Sequence, residues 1–415
     1  MRVSTGWTGG QYSLFRLLFG VYLLLHFVRL IPWGSEVFSN RGVLPRGADS
    51  PLLFLFPNVL VLADSPGAVV VLLAVASGLS VLFAAGKFDR AAAVVLWYIQ
   101  ACLFGRNPLI ANPSLPYVGW LLLAHAFIPP APYGSWAARG RADPSQGWKM
   151  PAPVCTVAWV LLALGYTYSG YEKLMSPSWV DGSAFAYILR SPLARATPLR
   201  GWLLGLPEGF LKLAAWGGLG SELLFAPLVL VRRFRPLIWT MMLAMHFSLI
   251  VLVSFADLSL GMVLLHMFTF NPAWVVPKYA SGTETLFYDG HCGLCHRFVR
   301  FVLAEDFSGT AFHFAPLGSE TFRATIPEAI RNGLPDSLVI RTASGLVLTR
   351  SDAVIHILKR MGGMWRLLAL AVGFIPSVIR NLAYDFVARI RYRLFARPPD
   401  VCPLVPVNVR GRFLP

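Results

Sequence analysis

Charge is scarce in this chain. Of its 415 residues 13% are Asp, Glu, Lys or Arg, where a soluble domain carries about a quarter. With 56% hydrophobic residues and a mean hydropathy of +0.60, such a composition excludes an ordinary soluble protein and points to lipid. Acid is scarcer than base, 20 Asp and Glu against 36 Lys and Arg. In a soluble protein an excess of +16 would suggest nucleic acid. Here it fits Lys and Arg retained in cytoplasmic loops and drawn to anionic headgroups, so no nucleic-acid partner is expected. Five cysteines make no disulfide framework. No HExxH or comparable ligand spacing is present, so no metal site can be argued. The first apolar run contains Arg16 and leads to no small-residue cleavage site, which argues against a signal peptide.

What is present comes in two parts. A bilayer core needs roughly 20 apolar residues as helix, and eight candidate spans precede residue 275: 11–31, 66–86, 90–105, 114–130, 152–172, 211–231, 236–254 and 257–272. One side of these spans collects Arg2, Lys87, Arg90, Arg139, Arg141, Lys149, Arg232, Arg233, Arg235 and Lys278. That asymmetry predicts a polytopic protein of a bacterial-type inner membrane with both termini cytoplasmic. The long segment 176–210 reads as interfacial or re-entrant. His26, His125, His246 and His266 read as neutral imidazoles satisfied by neighbouring helices. Cys102 and Cys155 read as small packing residues. Glu222, in "WGGLGSELLFAPLVLV", must be protonated, paired or facing water, so it is expected to point inward.

In "YTYSGYEKLMSPSWVDGSAFAYIL" (Tyr166 to Leu189), Lys173 arrives where a span meets the interface. It reads either as a snorkelling lysine or as a partly desolvated base. Gly170, Lys173, Leu174, Trp179 and Gly182 match G-x-x-K-L, spacer, W-x-x-G, and the stretch resembles the HTTM domain shared with vitamin K-dependent gamma-carboxylase. "NRGVLP" (Asn40 to Pro45) and "SELLFAPLVLVRRFRP" resemble the same domain. The resemblance implies that Lys173 is a base acting on a quinone-like molecule. It suggests Lys173, Trp179 and Glu222 as cofactor-binding residues. The sequence departs from the carboxylase in a lysine-to-tryptophan spacer one residue longer, in Pro113 at the place of a functional histidine, and in lacking the region that binds the glutamate-rich substrate.

Asn271–Pro272 and Pro277 end the last span, and the predicted domains are 1–277 for the membrane part, 278–284 for a linker and 285–405 for a small globular part. "TLFY" reads as a buried strand. "CHRFVRFVLAED" has apolar residues at helical spacing, "AFHFAPL" alternates as a strand, and "DSLVIRT…LVLTRS" forms a hairpin. "SDAVIHILKRMGG" reads as a helix with Ser351 as N-cap and Gly362 at its end. The order β–α–β–…–β–β–α is that of a thioredoxin-like fold, after a polytopic α-helical membrane domain and before a C-terminal helical extension. In "YDGHCGLC", Cys292 and Cys295 fall at the first strand-to-helix turn, where unpaired N–H groups and the helix dipole stabilise a thiolate. Cys292 should therefore ionise early, helped by His291 and Arg297, and Cys295 can reach back to close a disulfide. Asp289 either caps the helix or shuttles the proton of Cys295. Zinc is improbable with only Cys402 left over, and Cys402 itself reads as unreactive. The tail 363–397 is basic and apolar, and either packs on the domain or lies on the cytoplasmic leaflet.

"YDGHCGLC", "FAPL", "DSLVIRT…RSDAVIHILKRMGG" and "RLLALAVGFIPSVIRNLAYDFVARIRYRLF" resemble the DCC family of thiol-disulfide oxidoreductases over roughly residues 284–404. The resemblance implies Cys292 as the attacking and Cys295 as the resolving thiol. Asp336, after Pro335, stands where thioredoxins usually place a cis-proline. The expected activity is a membrane-anchored protein-disulfide reductase, acting on a disulfide-containing protein or a small thiol. Two other classes stay open: a carboxylase-like enzyme of a lipid-soluble substrate with Lys173 as base, and a non-enzymatic membrane scaffold.

Overall fold

A computed structural model describes residues 6–415 except 111, 146, 279, 280, 307 and 396–406. Cys402 lies outside the described residues. The chain divides into two compact units, one of Phe15–Ile128 and Pro151–Phe270, the other of Met1–Leu14, Pro129–Met150 and Asn271–Pro415. The predicted linker at 278–284 is thus not the only seam. The second unit opens at Asn271 and takes in two earlier segments.

The first unit is helical. Its main elements are α1 (Gly9–Leu30, from Phe15 on), α2 (Pro66–Ala85), α3 (Asp89–Arg106), α4 (Leu115–Ala126), α5 (Ala152–Leu174), α6 (Glu208–Leu223), α7 (Arg235–Leu252) and α8 (Ala256–Thr269). Each of the eight expected spans holds a helix, but among the described residues four helices are long and apolar enough to cross a membrane: Gly9–Phe38, Pro66–Ala85, Ala152–Leu174 and Arg235–Leu252. α4 and α8 are apolar but shorter. The span expected at 211–231 breaks at Leu224 into α6 and a separate turn, Phe225–Leu230. Segment 176–210 forms three short helices, Pro177–Val180, Ala184–Arg190 and Pro198–Leu204. Gly170 permits close approach of α5 to α6, since a Cβ there would lie 3.0 Å from Leu223.

The second unit holds a four-stranded sheet of β1 (Glu284–Tyr288), β2 (Phe312–Pro316), β3 (Val339–Arg341) and β4 (Val347–Thr349), in the order β2-β1-β3-β4. β1 pairs parallel with β2 and antiparallel with β3, and β3 and β4 form the expected hairpin. Alternation along the strands assigns their two faces. Leu286, Tyr288, Phe312, Phe314 and Ile340 pack with Val299 and Val302 of α9 (Gly293–Glu305) and Ile357 of α10 (Arg350–Met361). Phe287, Ala315 and Val339 face Phe322 and Ile326 on the other side. The N-cap of α10 is Thr349, not Ser351, whose hydroxyl instead donates to Asn381 Oδ1 at 2.6 Å; Gly362 ends the helix as expected.

Two long-range features extend this unit beyond 285–405. The edge strand β2 pairs with the last residues of the chain, where Phe314 N donates to Arg412 O and Leu414 N to Phe314 O, both at 2.8 Å. That covers an edge that would otherwise invite strand addition. At the other end, the fully buried Glu305 accepts hydrogen bonds from Gly10 N and Trp365 Nε1, both at 2.7 Å, and from Thr8 Oγ1. Burial holds its carboxyl above the usual range against those three donors.

The tail forms α11 (Gly363–Gly373) and α12 (Ser377–Leu394), bent by 112°. It both packs on the unit and exposes apolar surface. Tyr384 Oη accepts from Leu338 N at 2.8 Å, and Arg380 and Arg350 pair with Asp352 and Asp385. Phe374, Val378, Leu382 and Phe386 stay exposed, Phe374 by 90%.

Candidate active site

The site is assembled where β1 stops and α9 starts. After Tyr288 the chain turns through Asp289–Gly290–His291, with Asp289 Oδ1 accepting from His291 N at 2.9 Å and Asp289 O from Cys292 N at 3.2 Å. His296, one turn into α9, bonds Gly290 O through Nε2 at 2.8 Å and pins the turn to the helix.

Cys292 is the N-cap of α9, and its sulfur accepts the Cys295 N–H at 3.4 Å. The expected capping role for Asp289 is therefore filled by the cysteine, as a sulfur acceptor meeting one of the orphan amides of the first turn. Both sulfurs are free thiols on one side of the turn, and Cys295 donates to Cys292. The Cys292 thiol is lowered to about 6. The hydrogen bond from the Cys295 thiol is the largest cause. Burial opposes it, and the Cys295 N–H, the charge of Arg391 and the Leu294 N–H add to it. Cys295 moves the other way, far above the ordinary thiol range, because it donates that bond, is buried and faces the developing thiolate. The pair is thus divided into a readily ionised thiol and one that keeps its proton.

The cation differs from expectation. Neither His291 nor Arg297 is among the groups that lower Cys292; Arg391 of α12 is. Arg391 is 3% exposed. Its Nη2 donates to Asp336 Oδ1 at 2.7 Å, Asp289 Oδ2 at 3.3 Å and Tyr392 Oη at 2.9 Å, and Tyr392 donates to Asp289 in turn. Arg297 stacks over Phe395 instead. Sequence reasoning placed Arg391 among the tail's basic residues and missed its role. No local signal in the sequence separates it from Arg389 or Arg393.

The helical unit brings together the other expected residues. Lys173 Nζ donates to Glu222 Oε1 at 2.5 Å, and its ammonium lies 4.5 Å from the centroid of the Trp179 ring. Glu222 is 3% exposed. The three side chains border a cavity of about 720 Å³, with Tyr166 and His246 on its wall. Tyr166 Oη bonds His246 Nε2 at 2.8 Å and His266 Nε2 at 3.3 Å. His26 meets Asp257 at 3.3 Å and His125 meets Asp89 at 3.4 Å. Among the described residues no group of three or more His, Cys, Asp and Glu could hold a metal ion.

Residues 286–397 match the family described as DCC1-like thiol-disulfide oxidoreductase. Over 136 residues, 32% of this chain and 94% of the relative, the sequence is 34% identical to the Uncharacterized protein YuxK of Bacillus subtilis (strain 168). Over 122 residues, 29% of this chain and 68% of the relative, it is 31% identical to the DCC family protein At1g52590, chloroplastic, of Arabidopsis thaliana. No solved structure matches the chain. The matched residues contain the Cys292–Cys295 turn, the sheet and the tail helix that reaches the thiols; through this C-terminal domain the chain belongs to the DCC1-like thiol-disulfide oxidoreductases.

Proposed function

We propose that this protein is a membrane-anchored reductase of disulfides built on a thioredoxin-like domain. The Cys292 thiolate attacks one sulfur of a substrate disulfide, the other sulfur leaves as a thiolate, and a mixed disulfide forms on Cys292. Cys295 then loses its proton and attacks Cys292, releasing the second substrate thiolate and leaving a Cys292–Cys295 disulfide. Two electrons pass to the substrate, and soluble thiols of a cytoplasmic compartment restore the dithiol. The observation that carries this reading is the Cys292 sulfur at the helix start, accepting the Cys295 N–H and lowered to about 6. It is ionised at neutral pH, while Cys295 keeps its proton until the second step. Cys292 is fully buried, so exchange also needs local opening of the turn.

Four long apolar helices and the exposed apolar residues of α11 and α12 support the anchor. Trapping tests the function: a Cys295→Ser variant should accumulate a mixed disulfide on Cys292. A Cys292 thiol that stays inert toward disulfides in this variant sinks the reading.

One observation favours a second role for the helical unit, whose cavity we assign to an apolar, quinone-like molecule of the HTTM type. Glu222 Oε2 and His246 Nδ1 are buried without a hydrogen-bond partner among the described residues, and both residues border the cavity. A hydroquinone-like ligand, with a hydroxyl at each end of an apolar ring, would donate to Glu222 Oε2 and bond His246 Nδ1, with Lys173 moving the proton. Loss of quinone binding in Lys173→Met, with Cys292 still reactive, is the expected result.

A further inference from the structure

Arg391 stands out among the basic residues of the tail. Arg389 and Arg393 on the same helix are exposed, whereas Arg391 is buried and is shared by two carboxylates from separate loops, Asp289 beside the thiols and Asp336 before β3. A guanidinium buried to this degree is costly unless its partners hold it. Its Nε has no hydrogen-bond partner among the described residues. It also acts electrostatically on both thiols, although α12 lies about a hundred residues downstream of the turn. Tyr384, one helical stretch earlier, ties the same helix to Leu338, so the helix is fixed to the domain at two points.

We infer that Arg391 is the positioning residue that completes the thiol site: the tail helix carries a cation that is bound to the Asp289 turn beside Cys292 and adds to the groups favouring its thiolate, and Asp289 and Asp336 hold that cation in place. The inference rests on the thiol-exchange reading and extends it. The site is not local to the CxxC turn. Its charge balance comes from the end of the domain, so the tail belongs to the chemistry as well as to any lipid surface.

The test uses the full-length reduced protein and reads Cys292 ionisation, by thiolate absorbance and by alkylation rate against pH, in Arg391→Gln and Arg391→Lys. An opposite charge within about 4–6 Å moves an ionisation by about one to three pH units. In Arg391→Gln the Cys292 transition should rise from about 6 by about 1.5 pH units. A thiolate of higher pKa is rarer but more nucleophilic, so the rate profiles should cross. The variant should be about fivefold slower at pH 5.5 and about threefold faster at pH 8. Arg391→Lys should stay near the wild-type transition. A structural defect alone would shift the rate at every pH in one direction. Asp336 is 72% exposed, so Asp336→Asn keeps the fold; by removing one of the two carboxylates that hold the guanidinium it should move the transition. The inference is overturned if Arg391→Gln titrates with the wild type, or if Lys and Gln raise the transition equally. Should Arg391→Gln fail to fold, an unmoved transition in Asp336→Asn overturns it. If wild-type Cys292 exchanges with no disulfide at all, the thiol-exchange reading fails instead.

Discussion

Cys292 and Lys173 stand at opposite kinds of helix end, and their surroundings treat them oppositely. Cys292 caps the start of α9, where backbone amides, a neighbouring thiol and Arg391 all favour its charged form. Lys173 sits in the last turn of α5, with its ammonium already held by Glu222 at 2.5 Å and by the face of Trp179. The first site is poised before any substrate arrives. The second is self-compensated, and a ligand must compete with an ion pair before the lysine can act. Preorganisation of this kind is what speeds a chemical step, which is why the proposed function is placed on the thiol site rather than on Lys173.

The comparison breaks most visibly at the sulfurs. Replacing Cys292 by Ser should abolish disulfide reduction, while Cys295→Ser should leave single-turnover attack intact and stop turnover. Alkylation of Cys292 should follow its thiolate, falling about tenfold for each pH unit below about 6 and levelling above it. In the reduced protein the same lowered ionisation favours folding. That contribution is complete above the ordinary thiol value, and is lost as pH falls through about 6. Alkylation that keeps rising up to the ordinary thiol range would remove the distinction between the two cysteines.

The next largest effect belongs to the ion pair. Lys173→Met leaves the buried Glu222 carboxylate without its partner, which should lower stability by about 3 kcal/mol, measured by thermal unfolding in detergent. The double variant Lys173→Met/Glu222→Leu should recover most of that loss. Cys292 ionisation should be unchanged in both, and a parallel shift at the sulfur would mean that the two regions are coupled. Gly170→Ala acts on the same pair through packing. Its Cβ would lie 3.0 Å from Leu223, beside Glu222, so α5 and α6 must part at an expected cost of about 1–3 kcal/mol.

The two regions also differ in how far a linear reading reaches. Strand, turn, CxxC and helix were legible because their signals are local: a short apolar run, a Gly after Asp, and apolar residues at positions 299, 302 and 303. Glu222 was legible as inward-facing because a carboxylate in an apolar helix has few alternatives. Arg391 was not, because its pairing with Asp289 spans 102 positions and nothing local separates it from its basic neighbours. The C-terminal residues beside β2 were missed for the same reason. The eight expected spans show a different limit: apolarity marked every helix, but length is set by breaks such as the one at Leu224.

The smallest effect separates two buried carboxylates. Glu222 is balanced by an ammonium, Glu305 by neutral donors from Gly10, Thr8 and Trp365. Glutamine keeps the shape and an acceptor oxygen but no charge. At 222 it leaves Lys173 unpaired and should be costly. At 305 it relieves a buried charge while keeping an acceptor for the Trp365 N–H, so the net change should stay within about 1 kcal/mol. The pH dependence is the sharper readout. Glu305 is raised in the folded protein, so its contribution is most favourable at pH below the unfolded carboxyl value and declines as pH rises through the raised one. Glu305→Gln should therefore flatten the fall of stability with rising pH on the mildly acidic side. A Glu305→Gln profile with the wild-type slope would show that burial does not raise this carboxyl.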